Sequence, residues 1–338
     1  MARRDSLQAL RIASPAEQAR FCAVSSGTTL DPATLTGSGA DEHWLLEDSD
    51  GAVARCSLWW RSAPPYPEHR VGLVGHFAAD DALAGSLLQL ACDRLRDVGC
   101  TLAVGPMDGS TFNSYRLVTE RGAEPAFFLE PDTPPSWPGH FTGNGFMPLA
   151  HYYSALQESL DAPYPRISEI ARRVQMAGVR VRPLDPTDFE RELRRVYPVV
   201  AAGFANSVLG SPMSEEAFVA QYRPLETWLA PELVQIAETD ERAVGFLLVV
   251  PDWLQARRGE RIDTAIVKTI AVLPNYIRRG LSILLLERAQ ERARARGYTR
   301  AIHALMHESN VSRRLSAAYH GRIFRRYTLY QKALEVAP

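Results

Sequence analysis

A chain of 338 residues, 46% hydrophobic and 23% charged, has the makeup of ordinary globular domains, about two at roughly 150 residues each. A formal net charge of −1 excludes a global field toward nucleic acid or anionic membrane. Almost all the cations are arginine; only Lys268 and Lys332 are lysine, a skew that GC-rich coding explains.

The start, Met1 to Asp5, lacks the apolar core of a secretory signal, and no run approaches the ~18 apolar residues of a membrane span. Cys22, Cys56, Cys92 and Cys100 show no paired spacing, which reads as reduced, mostly buried thiols and a cytoplasmic location. Segments 43–47 and 52–60 are strands flanking a hairpin turn, Asp48-Ser49-Asp50-Gly51, and 71–78 is another strand. Asp80 and Asp81 can cap a helix whose stripe is Ala84, Leu87, Leu88, Ala91, Leu95 and Val98; Gly99 closes it and 101–104 is the next strand. The loop from Gly105 to Asn113 reads as either a pocket lining or a satisfied turn. Pro131, Pro134, Pro135, Trp137 and Pro138 read as a stiff aromatic loop packed as a surface lid. A strand at 151–156 ends this half.

Ala162-Pro163-Tyr164-Pro165 and a basic helix over 167–176 form a linker. The second half opens with a short strand at 179–182, then an amphipathic helix carrying Phe189, Leu193, Val196, Val200 and Phe204. Strands at 233–238 and 243–250 flank the polar turn Thr239-Asp240-Glu241-Arg242, and 264–273 reads as a central strand. The loop 274–279 leads into a helix bearing Leu281, Leu284, Leu285, Ala289 and Ala293, ended by Gly297; strands follow at 300–306 and 327–334. A hairpin followed by strand, helix, glycine and strand thus occurs twice, which argues for duplication. The expected domains are 1–160 and 179–338, joined by a linker over 161–178.

The informative stretch is Thr269 to Ser282, where a buried strand turns into a helix that begins at Gly280, preceded by Arg278 and Arg279. Unpaired amides at a helix start hold phosphate oxygens, glycine permits close approach, and arginine adds charge-assisted bonds. The pattern predicts an anion site suited to a diphosphate.

This stretch resembles motif A of the GNAT superfamily of N-acetyltransferases, in which a strand ends in Val-x-Pro before a Gln/Arg-x-x-Gly-x-Gly/Ala loop. The resemblance covers 179–338 and, more weakly and without the loop, the element order of 1–156. It implies an α/β fold of two tandem domains, each a mostly antiparallel mixed sheet flanked by helices. It implies acetyl-CoA as cosubstrate: Ile270, Ala271 and Val272 against pantetheine, Ile277, Arg278, Arg279, Gly280, Leu281 and Ser282 around the diphosphate. Asn310 resembles the asparagine opening the family's last helix beside the cofactor; read from the residues alone it is equally an N-cap. Ile277 stands where the loop has Gln or Arg, and Ser282 replaces the second small residue. Ile266 occupies the position of a glutamate base, and Ser316 that of a tyrosine acid.

Amine acylation needs proton transfers, for which Glu308, His307 and Tyr319 are the titratable candidates, with Tyr319 and Glu308 named as catalytic. No histidine spacing suggests a metal. In the first half, Phe77 to Leu83 carries two carboxylates in place of Arg-Arg-Gly, so no CoA site is expected there. The expected function is N-acetylation of a small-molecule amine by a bacterial-type monomer or homodimer without nucleic-acid or membrane partners. The alternatives are an aminoacyl transferase of the same tandem fold and a non-catalytic acyl-CoA-binding module.

Overall fold

The computed structural model describes residues 7–26, 29–48, 51–205, 207–210, 213–240, 242–310 and 312–335. The first half runs β1 (Gln8–Arg11), α1 (Pro15–Cys22), α2 (Pro32–Gly37), β2 (Glu42–Asp48), β3 (Gly51–Trp59), β4 (Val71–Ala79), α3 (Ala84–Asp97), β5 (Leu102–Gly105), β6 (Leu117–Glu120), α4 (Trp137–Gly143) and β7 (Met147–Gln157). The second runs α5 (Ile167–Met176), β8 (Arg180–Pro183), α6 (Phe189–Phe204), α7 (Glu215–Tyr222), β9 (Gln235–Thr239), β10 (Arg242–Pro251), α8 (Trp253–Arg257), β11 (Thr264–Val272), α9 (Pro274–Ile277), α10 (Leu281–Ala295), β12 (Arg300–His307), α11 (Ser312–Ala318) and β13 (Arg322–Ala333).

Local chemistry accounts for the boundaries. Asp80 accepts the Leu83 amide at 3.1 Å just before α3, and the helix buries Ala84, Leu87, Leu88, Ala91 and Leu95. Gly297, at φ +82°, closes α10 in a left-handed conformation, with Tyr298 N–H reaching back to Ala293 O at 3.0 Å. The turn residues Ser49, Asp50 and Glu241, and the leading Met1 to Asp5, lie outside the described residues.

The described strands form one mixed sheet in the order β1-β2-β3-β4-β5-β13-β7-β12-β11-β10-β9-β8, with β6 also paired to β13. Each half contributes a parallel pair, β4 with β5 and β11 with β12; the other pairings are antiparallel. The last strand of each half lies beside the second strand of the other half's parallel pair: β13 on β5, and β7 on β12. Sheet and helices make the α/β architecture that the sequence implied.

Helices cover both faces of the second half. One face packs under α6 and α7 through Phe189, Leu193, Val196, Val200 and Phe218. The other packs under α10 and α5 through Leu281, Leu285, Ile170 and Val174. Trp137 is no surface lid: it heads α4, is 4% exposed, and meets Phe77 edge-on at 5.0 Å within the first-half core. All four cysteines are buried thiols. Among the described residues no helix is long and apolar enough to cross a membrane.

Candidate active site

In both halves the parallel pair holds for a few residues and then parts. β4 and β5 pair from Val71–Leu102 to Leu73–Val104, and β11 and β12 from Thr264–Arg300 to Val267–His303. Beyond those points each pair has a gap between diverging strands. The first-half gap is filled by its own loop. Met107 N–H donates to Val74 O at 2.9 Å, and the Asp108 carboxylate accepts the His76 amide at 2.6 Å. A Cβ on Gly75 would lie 2.3 Å from Met107 O, so the loop seats only against glycine. Burial raises the Asp108 pKa to about 6. The 105–113 segment is thus a satisfied turn that closes the gap.

The second-half gap is open. Past Val267, β11 keeps its β10 partner, with Ile270 on Leu247, Ala271 on Phe246 and Val272 on Gly245, and no strand on its other edge. The chain then makes the single turn α9, and Gly280, at φ +85°, starts α10 with no side-chain cap. The first-turn amides of Leu281, Ser282 and Ile283 therefore have no intrahelical acceptor. Arg278 and Arg279 are exposed and form no ion pair among the described residues; Ile277 is exposed beside them. A Cβ on Gly280 would lie 3.0 Å from Ile170 of α5, so the linker helix backs this turn. Free amides, two unpaired guanidinium groups and an open strand edge fit a phosphorylated, extended ligand.

On the α6 side of the gap, elements of both halves meet. Lys268 is the extra residue of a bulge in β11, since Leu248 pairs with Thr269 and Val249 with Val267. It is part-buried, and its Nζ donates to Leu129 O at 3.3 Å. Burial, then the charge of Arg116, lowers its pKa to about 7, with Glu130 opposing. Arg116 is 6% exposed; its guanidinium lies 3.9 Å from the ring centre of Tyr115 and 4.3 Å from that of Tyr152, and donates to Leu305 O at 3.3 Å. Arg116, Leu129 and Leu305 all have positive φ, an uncommon conformation for side chains of this size. Glu130 is fully buried, bonded to Tyr327 and paired with Arg325 at 2.6 Å; burial raises its pKa. Phe112 of the first half leans on Phe204 at 6.2 Å and completes this wall.

The residues named from sequence lie on β11, on the turn into α10, and around α11. Ile270 to Val272 lie on the β11 edge beyond the last β12 pair, and Ile277 to Ser282 form the turn into α10. Asn310 caps α11, its side-chain oxygen accepting the Ser312 amide at 3.0 Å. Glu308 is exposed and bonded to Arg326 at 3.1 Å; His307 is tied to Ser309 at 2.8 Å and stands edge-on to Tyr152. Tyr319 is 4% exposed and donates to the buried Glu287 at 3.1 Å, and burial with that carboxylate raises its pKa far above the usual range. Ile266 and Ser316 are core residues, 0% and 2% exposed. Lys268, Arg116 and Glu130 were missed. Lys268 carried a signal, as one of two lysines and the one charge inside β11; Arg116 and Glu130 carried none.

The acetyltransferase (GNAT) family model matches residues 205–321, the span holding α7, the β11–β12 gap and the α10 turn. That segment is similar to the GNAT family. The GNAT fold extends over the whole chain: a GCN5-related N-acetyltransferase from Sphaerobacter thermophilus superposes with a TM-score of 0.52 at 17% identity, covering 99% of this chain and 98% of that one. A tandem GNAT protein from the clavulanic acid biosynthesis pathway gives 0.53 at 12% identity, covering 98% of this chain and all of the other. A GCN5-related glucosamine N-acetyltransferase region of a fungal multi-domain GH3 β-N-acetylglucosaminidase gives 0.57 at 13% identity, covering 96% of this chain and 38% of that one. A search of curated proteins returns no match. The GNAT architecture supports acyl transfer.

Proposed function

We propose that the chain is an N-acetyltransferase using acetyl-CoA and a small-molecule amine, working in the bacterial cytoplasm with one donor site, in the second half. The supporting observation is the contrast between the two gaps. One is open and ends on uncapped amides beside Arg278 and Arg279; the other is filled by its own loop and ends at Asp80. In this reading residues 1–160 wall the acceptor side, 161–178 brace the turn, and 179–338 hold the donor.

The amine nitrogen attacks the thioester carbon, an N–C bond forms, the C–S bond breaks, the amine loses a proton and the thiolate gains one. Glu308, exposed and held by one arginine, is the proposed proton acceptor. Tyr319 would have to leave Glu287 to protonate the thiolate. Ile270, Ala271 and Val272 offer the free strand edge to the donor's pantetheine arm, and Asn310 stands at the start of α11 beside it.

Isothermal titration with acetyl-CoA tests the reading. Arg279→Glu is a cleaner variant than a Gly280 substitution, which would strain a left-handed residue and press on Ile170. One equivalent bound by the native chain, with affinity lost in Arg279→Glu, is the expected result. No binding by the native chain would sink the proposal.

A further inference from the structure

Around the divergence of β11 and β12, positive charge exceeds negative. Three buried or part-buried cations, Lys268, Arg116 and Arg325, face one carboxylate, Glu130, which Arg325 and Tyr327 already engage. Lys268 and Arg116 form no ion pair among the described residues, and each has a carbonyl as partner, both at 3.3 Å. Arg116 is 6% exposed, and its Nε is buried with no hydrogen-bond partner among the described residues. Acids on flanking loops are committed elsewhere. Glu124 pairs with Arg300 at 3.4 Å, and Asp252 accepts the Phe128 amide at 2.8 Å.

An unmade hydrogen bond on a buried guanidinium is costly, and a lysine close enough to feel its charge adds repulsion. Arg116, Leu129 and Leu305 keep positive φ, a costly conformation that persists only where the surrounding packing imposes it. The Tyr115 and Tyr152 rings, edge-on to each other at 5.6 Å, flank the Arg116 guanidinium from two adjacent sides, and a guanidinium bonds a planar anion through its paired N–H groups.

We propose that Lys268 and Arg116 form a binding site for a carboxylate on the acceptor, which makes the acceptor an amino acid or another small amino-carboxylate. The inference rests on the acetyltransferase reading for the identity of the acceptor; the carboxylate site itself does not. Lys268 lies one residue past the last β11–β12 pair, so a carboxylate held there brings its neighbouring amine to the mouth of the gap. An anion at this point also offsets the burial and repulsion that lower the Lys268 pKa to about 7.

The chain has only two lysines, Lys268 and Lys332, so isotope-labelled lysine gives two side-chain resonances, assigned with Lys268→Arg. The native protein is titrated with the common amino acids and, in parallel, with their amides. The expected result is that at least one amino acid shifts the Lys268 signal and raises its titration midpoint while its amide does neither. Arg116→Gln should weaken that binding about tenfold, the loss of one charge-assisted pair, with acetyl-CoA affinity unchanged. Should Arg116→Gln fail to fold, Lys268→Gln read by calorimetry with the same amino acid carries the same expectation. The proposal is overturned if no amino acid moves the Lys268 signal, if amides move it equally, or if neither variant weakens binding. Acetyl-CoA titration is scored separately, so loss of the donor reading is distinguishable from loss of the carboxylate site.

Discussion

His303 stands at the last parallel pair of β11 and β12, 3% exposed, with Nε2 buried and unpartnered. Burial lowers its pKa to about 4, so the folded protein holds it neutral. As pH falls from the ordinary histidine value of about 6.5 toward 4, the unfolded chain takes up a proton that the folded one refuses, and stability drops. His76, lowered to about 3, adds to this trend, whereas Asp108, raised to about 6, opposes it below that pH. Comparison with His303→Leu isolates the one contribution. Urea midpoints near neutrality and at about pH 5 should fall less in the variant than in the native chain. Equal falls would mean that His303 is not held neutral.

Among the elements, the two helix starts differ in what they leave free for an anion. The turn before α3 has its Leu83 amide bonded to Asp80, and Asp81 faces His140 at 3.2 Å. α10 begins at a glycine with no cap. The loop after β5 adds a second exclusion, because it hydrogen-bonds the β4 edge that a ligand would need. Asp108→Ala should cost about 1–3 kcal/mol by leaving the His76 amide unpaired, measured by urea unfolding. Acetyl-CoA stoichiometry should stay at one equivalent. A second equivalent in that variant would show that the loop alone keeps the first half shut.

For the whole molecule, the exchanged strands weld the halves together. β13 sits between β5 and β7, and β7 between β13 and β12, so neither half completes its sheet alone. The buried pair of Glu130 from the first half and Arg325 from the second adds a penalty on separation, since either charge left alone is poorly solvated. Residues 1–160 and 161–338 expressed separately should give no cooperative thermal transition, and co-expression should restore one. Two independent cooperative melts would show that the exchange is dispensable. The same weld places the first-half residues Arg116, Leu129 and Glu130 beside the second-half strand carrying Lys268, the contact on which the proposed acceptor site rests.

The sequence by itself determined the local order. Hydrophobic period and turn residues placed β2 to β5, α3, β9 to β12 and α10 within a residue or two, because each is specified by its own side chains. It also marked the uncapped turn proposed to bind the diphosphate, whose chemistry lies in consecutive residues, Arg278 to Ser282. It did not reveal β1, β6, α4 or the exchange of β7 and β13. The first three are short, and the matching patterns of the last two strands fit either partner equally. Only the tertiary structure decided that the first gap is filled, that Trp137 is core, and that Lys268, Arg116 and Glu130 converge. Convergence of residues 116, 130 and 268 is set by which strands lie side by side, and no period along the chain encodes that neighbourhood.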